Sequence, residues 1–120
     1  IKKTCGENSD HYKQLKKLPG QYTLILNLKN KNAIAKNVSF SDTIGVRIPN
    51  HWISLLVKQL KIPIVTTSVN VHGEKFMTSL EDLNIEIKNK IDFIIHEGKK
   101  QSNPSAVIDL TTKTEKIIRH

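Results

Sequence analysis

Cysteine is almost absent from this sequence. Cys5 is the single one among 120 residues, which excludes an internal disulfide and a cysteine-based zinc cluster. A reducing, cytoplasmic setting is the simplest expectation. Long apolar runs are missing as well. Stretches such as Ile62–Val65 and Phe93–Ile95 fall far short of the roughly 20 residues needed to cross a bilayer. The start, Ile1 to Glu7, has no apolar core of a secretory signal. Arginine is scarce, with Arg47 and Arg119 standing against an excess of lysine that sets the net charge at +8 and the pI at about 9.7. An AT-rich gene would produce that Lys/Asn/Ile bias without a functional cause; a polyanionic partner, nucleotide or RNA, would select it. The two arginines are informative because guanidinium makes bidentate phosphate contacts that lysine cannot copy. The familiar catalytic signatures are also missing. There is no Gly-x-Ser-x-Gly, Walker A loop or GxGxxG. His11, His51, His72, His96 and His120 form no HxH or HxxxH pair, so no bound metal is expected. Glu81, Asp82 and Glu86 suit a solvated helix face better than an acid/base pair. Chemistry that works on phosphate by positioning and electrostatics needs no protein nucleophile and stays open.

What is present is a regular alternation of apolar runs and polar turns, with hydrophobic residues at 38%. That is the composition of a folded α/β domain. The spacing predicts a helix capped by Ser9 and running to Leu18, with Tyr12, Leu15 and Leu18 on one face, stopped by Pro19-Gly20. Strands are predicted at Tyr22–Lys29, Ile44–Ile48, Ile62–Thr66, Ile91–Ile95, Ala106–Leu110 and Lys116–Arg119. Lys29–Asn37, polar and Asn-rich, reads as a loop. Asn50 is the expected N-cap of a helix His51–Leu60, which places Trp52, Leu55, Leu56 and Leu60 at helical spacing. Ser79-Leu80-Glu81-Asp82 resembles a capping box opening a third helix through Asn89. Strands alternating with helices, without internal repeat or linker, predict one α/β domain built on a mixed sheet.

The most unusual segment is Thr66-Thr67-Ser68-Val69-Asn70-Val71-His72-Gly73-Glu74. It follows an expected buried strand, where α/β folds place ligand loops. Ser68 and Asn70 are two apart, so in extended chain they point the same way and could clamp a phosphate or a ribose; they equally suit a polar turn. Ser105, in Pro104-Ser105 before a strand, can reach a ligand or complete a turn. Leu18-Pro19-Gly20-Gln21-Tyr22-Thr23 is a rigid turn into a strand.

The order of the segments is more telling than any one of them. The Leu18–Thr23 turn is followed by Thr43-Ile44-Gly45-Val46-Arg47-Ile48-Pro49-Asn50-His51 and the Thr66–Glu74 loop. Then come Asp92-Phe93-Ile94-Ile95-His96-Glu97-Gly98, Pro104-Ser105-Ala106-Val107-Ile108-Asp109 and Ile117-Ile118-Arg119. In this order they resemble the YrdC/TsaC family across residues 9–120. The resemblance implies an open, twisted mixed sheet with flanking helices and a basic groove holding a nucleotide. It implies synthesis of L-threonylcarbamoyl-AMP and pyrophosphate from ATP, L-threonine and bicarbonate. A partner complex would then pass the threonylcarbamoyl group to the adenosine beside the anticodon of tRNA. ATP enters as a substrate, accompanied at most by Mg2+.

By the same resemblance, Ser68 and Asn70 match the family's Ser-x-Asn pair at the nucleotide phosphates and are the expected catalytic residues. Arg47, Thr66, Ser105 and Arg119 match nucleotide-binding positions, and Thr23 a substrate-binding one. The chain departs from the family pattern at Gln21, Val69, His72 and Ala106, where proline, alanine, serine and threonine are usual. None of these removes a charged contact. The resemblance covers the C-terminal two-thirds of the domain. The family's Pro-Thr-Asp-Thr-type threonine-pocket segment and its Lys-x-Arg pair have no counterpart in these residues, so the 120 residues alone are expected not to complete the reaction. Two other readings remain: a YciO-like or carbamoyl-transfer paralogue on the same fold, and an RNA-binding module using the basic groove.

Overall fold

The computed structural model describes residues 12–35, 37–38, 41–112, 114 and 116–119. Ser9, Cys5, His11 and His120 lie outside the described residues. The described chain divides into two compact units. One comprises the residues up to Ile64 together with those from Pro104 onward; the other is Val65–Asn103.

The first unit is organised by a sheet of four strands. These are β1 (Tyr22–Asn27), β2 (Thr43–Val46), β3 (Ala106–Asp109) and β4 (Lys116–Arg119), in the spatial order β2-β1-β3-β4. β1 runs antiparallel to β2 and parallel to β3, and β3 runs antiparallel to β4. The sheet is therefore open and mixed. Period-2 alternation decides which side is the core. Leu24 and Leu26 on β1, with Ile108 on β3 and Leu110 just after it, are the buried apolar residues, Leu24 and Ile108 at 0% and 1% exposure. Leu24 stands opposite both Val46 and Ile108 in register. The helix α1 (Tyr12–Leu15) and the turn after it lay Leu15 and Leu18 on this cluster, together with Tyr22 and Val46. Leu15 and Leu18 of the expected apolar face thus reach the sheet, although the helix ends at Leu15 and not at Leu18.

The turn from α1 into β1 is set by Gly20. Its N–H donates to Ile48 O at 2.8 Å, joining it to the segment after β2. A Cβ at this position would lie 2.7 Å from the Lys17 carbonyl oxygen, closer than carbon and oxygen can approach. Glycine is required by contact here.

The second helix of the first unit, α2 (Ile53–Leu60), begins later than expected, and Asn50 is not its cap. Trp52 is the N-cap, with no side-chain cap bond. The Ile53 N–H instead donates to His51 Nδ1 at 3.4 Å, and Ser54 Oγ donates to Pro49 O at 2.6 Å. The Pro49 ring and the backbone before it already direct the chain, so the helix starts one turn beyond the Asn50 side chain. It ends at Lys61, whose left-handed φ of 56° lets its N–H reach Val57 O.

The second unit holds no strand among its described residues. Ile62–Thr66 and Ile91–Ile95, expected as strands, are not laddered to anything. Phe93 is 77% exposed and Val65 and Ile95 are also exposed. β-branched composition made both segments read as strands, but a strand exists only where a partner supplies its hydrogen bonds. The expected third helix is broken as well. Leu80–Asp82 is a 3-10 turn, and α3 (Ile85–Lys88) is a single turn with its own cap. Ser79 makes no side-chain cap bond. Asp82 Oδ2 accepts instead from Thr78 N–H at 3.3 Å and Thr78 Oγ1 at 2.7 Å. Asn84 Oδ1 accepts from Glu86 N–H at 2.8 Å and so starts the following turn. A side chain that can cap its own start interrupts the helix it sits in.

Candidate functional site

The face of the sheet opposite the α1 cover carries the hydroxyls. On β1, Thr23 and Ile25 alternate with the buried Leu24 and Leu26, and both are half-exposed. Thr23 stands opposite Val107 of β3, and Ile25 stands opposite Gly45 of β2 and Asp109 of β3. Continuing the β1–β2 register by one pair sets Arg47, exposed and just past β2, level with Thr23. On the other side the backbone of Arg119 pairs with that of Val107. The order β2-β1-β3-β4 therefore brings the positions of Arg47, Thr23, Val107 and Arg119 into one row across the sheet. Four of the residues singled out from the sequence converge here, because Ser105 immediately precedes β3 and its Oγ lies 2.7 Å from Thr23 Oγ1.

Ser105 is 4% exposed, the buried polar residue of the described chain. Two backbone bonds fix it in place. Ala106 N–H donates to Gln21 O at 2.9 Å, and Leu110 N–H to Ile25 O at 3.0 Å at the far end of β3. Gly45 belongs to this site although the sequence reading did not single it out. A Cβ on Gly45 would stand 3.3 Å from Thr23 Cγ2. A glycine in the interior of a short strand signals close approach, and that signal was available in Gly45-Val46-Arg47. Asp109, at the end of the same face, accepts from Thr111 N–H at 2.9 Å through Oδ1. The hydrogen bonds from Thr111, aided by nearby Lys116, hold its carboxyl below the usual carboxylate range.

In the second unit, Thr66, Ser68 and Asn70 lie in an irregular loop, Thr66 and Ser68 exposed and Asn70 half-exposed. Asn70 organises that loop. Its Nδ2 donates to Val71 O at 2.9 Å and to Glu74 O at 3.1 Å. Met77 N–H donates to Val69 O at 3.0 Å, closing the base of the turn, and Gly73 takes a φ of +86° at its tip. Both bonds of the Asn70 amide N–H groups go to backbone carbonyls of its own loop. These bonds are those of the polar turn that the segment also suited.

Charge is divided unevenly between the units. Val65–Asn103 contains Lys75, Lys88, Lys90, Lys99 and Lys100 against Glu74, Glu81, Asp82, Glu86, Asp92 and Glu97, a net −1, so the other unit carries +9 within the total of +8. Glu81 and Asp82 are held below the usual carboxylate range by hydrogen bonds, from Ser79 for Glu81 and from Thr78 for Asp82. Among the described residues no group of three His, Cys, Asp or Glu is placed to hold a metal, and no helix is long and apolar enough to cross a membrane.

Sheet and site together define a class: an open mixed-sheet α/β domain with paired hydroxyls on one face and arginine positions in the same row of the sheet. The comparisons make it specific. Residues 1–120 match the Sua5/YciO/YrdC family model, described as "Telomere recombination". The chain belongs to that family. It is 39% identical over 103 residues to a Methanocaldococcus jannaschii protein that carries the provisional name threonylcarbamoyl-AMP synthase, covering 84% of this chain and 46% of that protein. It is 33% identical over 105 residues to the uncharacterized protein YciO of Escherichia coli K12, covering 84% of this chain and 50% of the relative. The chain thus spans about half the length of the curated relatives it matches. Among solved structures it resembles E. coli YciO with a TM-score of 0.76 at 30% identity, over 98% of this chain and 58% of that one. It also resembles P. abyssi Sua5 in complex with L-threonine, with a TM-score of 0.78 at 30% identity, over 97% of this chain and 35% of that one. The expected YrdC-like open mixed sheet is what the chain forms.

Proposed function

We propose that this chain is part of an L-threonylcarbamoyl-AMP synthase, which joins ATP, L-threonine and bicarbonate with release of pyrophosphate. The reading rests on one observation above the others. The sheet face that gathers Arg47, Thr23 and Ser105 belongs to a fold shared with a solved Sua5 that holds L-threonine. The similarity to the M. jannaschii protein points the same way.

The chemistry asks little of the protein beyond placement. The threonine amine takes up the carbon of bicarbonate with loss of water, and the carbamate oxygen formed then attacks the α-phosphorus of ATP. Pyrophosphate leaves with the electron pair of the broken phosphoanhydride. The groups needed are cations and donors around the phosphates, and walls that hold the carbamate in line with the leaving group. In this proposal Arg47 and Arg119 supply fixed positive charge, Thr66, Ser68 and Asn70 contact the nucleotide, and Ser105 and Thr23 line the pocket. Mg2+ would travel with ATP. The product would go to a tRNA-modifying partner, which passes the group to tRNA.

The test is formation of threonylcarbamoyl-AMP by the protein in its full natural length, followed as pyrophosphate release dependent on both threonine and bicarbonate and confirmed by product mass. Pyrophosphate release without either dependence would refute the proposal. A second reading, a YciO-like protein with a different carbamoyl or nucleotide substrate, is favoured by the equally close structural match to YciO. It would be supported by ATP binding that threonine does not alter. Tight, steeply salt-dependent RNA binding with no nucleotide binding would favour the third reading, an RNA-binding module.

A further inference from the structure

Gly45 lies inside β2, and nothing in the fold requires a glycine there. Its backbone stays out of the left-handed region, which Gly73 and Gly98 occupy among the described glycines. Apart from its chain neighbours, a Cβ built on it would meet one atom within 4 Å among the described residues, the Thr23 Cγ2 methyl at 3.3 Å. That methyl ends a side chain and needs only a small shift to make room. Glycine weakens a strand relative to residues with a side chain, so the position gives up stability for something outside the sheet. Resting on the function proposed above, we infer that Gly45 is the bed for the purine ring of ATP. Its bare backbone lets a flat base lie against β2, where a side chain would hold it off.

The surroundings of Gly45 define this occupant. It is exposed, and residues 43, 45 and 47 share one face by period-2 alternation. The neighbouring side chains on that face, Thr43 and Arg47, therefore start about 7 Å away along the strand in either direction. Such a gap is longer than a methyl or a hydroxyl needs and suits a planar ring. Its walls are apolar: the Thr23 methyl at one corner, and half-exposed Ile25 directly opposite Gly45 in register. Charge also changes from one row of the sheet to the next. Arg47 is level with Thr23, and the position of Arg119 lies in the same row. The row of Gly45 and Ile25 instead leads to Asp109, whose carboxyl is held below the usual range by its hydrogen bonds with Thr111. Phosphates are drawn to the arginine row and repelled by the carboxylate, so the neutral base takes the glycine row. Two residues of β2, one pleat apart, thus receive the two ends of the nucleotide.

Gly45→Ala and Thr23→Ser, singly and together, are compared with the natural protein at its full natural length. ATP is titrated by calorimetry beside tripolyphosphate, which has the phosphates without the base. Gly45→Ala should weaken ATP by about 10-fold, as one methyl forced into a filled site does, and leave tripolyphosphate within about 2-fold. Thr23→Ser removes the methyl that the new Cβ crowds and keeps the hydroxyl. Gly45→Ala added to Thr23→Ser should therefore weaken ATP by the same factor relative to Thr23→Ser alone. Unchanged ATP affinity in Gly45→Ala, or equal weakening of ATP and tripolyphosphate, would overturn the inference. So would a loss that vanishes in the Thr23→Ser background, because the alanine would then act by displacing Thr23. Where tripolyphosphate binds too weakly to titrate, the Thr23→Ser comparison decides. ATP binding without threonine-dependent pyrophosphate release refutes the proposed function alone, and the same titrations still decide on Gly45. Natural protein that binds no ATP refutes both.

Discussion

Substituting Gly20 by alanine tests whether the turn into β1 is fixed by contact. The added Cβ would meet the Lys17 carbonyl oxygen at 2.7 Å, roughly half an ångström inside the normal carbon–oxygen separation, and the obstacle is backbone, which cannot swing aside. Forced overpacking of this kind costs about 1–3 kcal/mol. For a chain of this size each kcal/mol lowers the melting midpoint by about 3–6 °C, so a drop of roughly 5–15 °C is expected. The strain should also travel. Gly20 N–H is bonded to Ile48 O at 2.8 Å, and Ile48 is next to Arg47. Moving the turn away from Lys17 therefore pulls on the segment that carries the arginine of the site. Thermal unfolding by circular dichroism measures the first effect, and ATP titration measures the second. Gly73→Ala is the control. Gly73 has a φ of +86° but nothing within 4 Å of a built Cβ, so its cost is about 1–2 kcal/mol of left-handed strain, confined to the loop. Gly20→Ala with an unchanged midpoint and unchanged ATP affinity would refute the reasoning, since the clash would then relax without consequence.

Three further outcomes follow from local geometry. Asn84→Ala removes the acceptor for Glu86 and Ile87 N–H and should cost about 1 kcal/mol, visible as faster amide exchange at those two residues. Lys61→Gly relieves a side chain at φ 56° at the end of α2 and should raise stability by up to about 1 kcal/mol in denaturant titration. Asp109 is held below the usual carboxylate range chiefly by its hydrogen bonds with Thr111. A depressed folded pKa contributes stability above the unfolded pKa, near pH 4, and that contribution disappears as pH falls through the folded value. Asp109→Asn should therefore be the less stable protein at pH 7 and show a shallower loss between pH 4 and pH 2; parallel curves would disprove the assignment.

The strands of the sheet were legible because their burial is regular. Tyr22, Leu24 and Leu26 alternate with Thr23 and Ile25, and the pattern Ala106–Asp109 repeats it. Ile62–Thr66 and Ile91–Ile95 carry the same residue types, yet neither is laddered. Propensity reports what a residue tolerates, while pairing depends on what lies beside it, and sequence alone does not name the partner. The same limit applied to the site. Thr23 and Ser105 were each visible as hydroxyls at a strand entrance, but their bond exists only because β1 and β3 are parallel neighbours. Asn50 illustrates the opposite case. It is a good capping residue by type, and the helix begins beyond it because His51 and Ser54 engage the backbone first.

The placement of β3 has a consequence in time. It is an inner strand of the sheet, between β1 and β4, yet it is encoded after the whole of Val65–Asn103. At about 5–20 residues per second, the ribosome needs roughly 4–16 s after finishing β1 to deliver the strand that pairs with it. During that interval Leu24 and Leu26 lack Ile108 and Leu110, the other half of their core. The β1–β2 pair must wait, half-covered, with one edge of β1 open until β3 arrives.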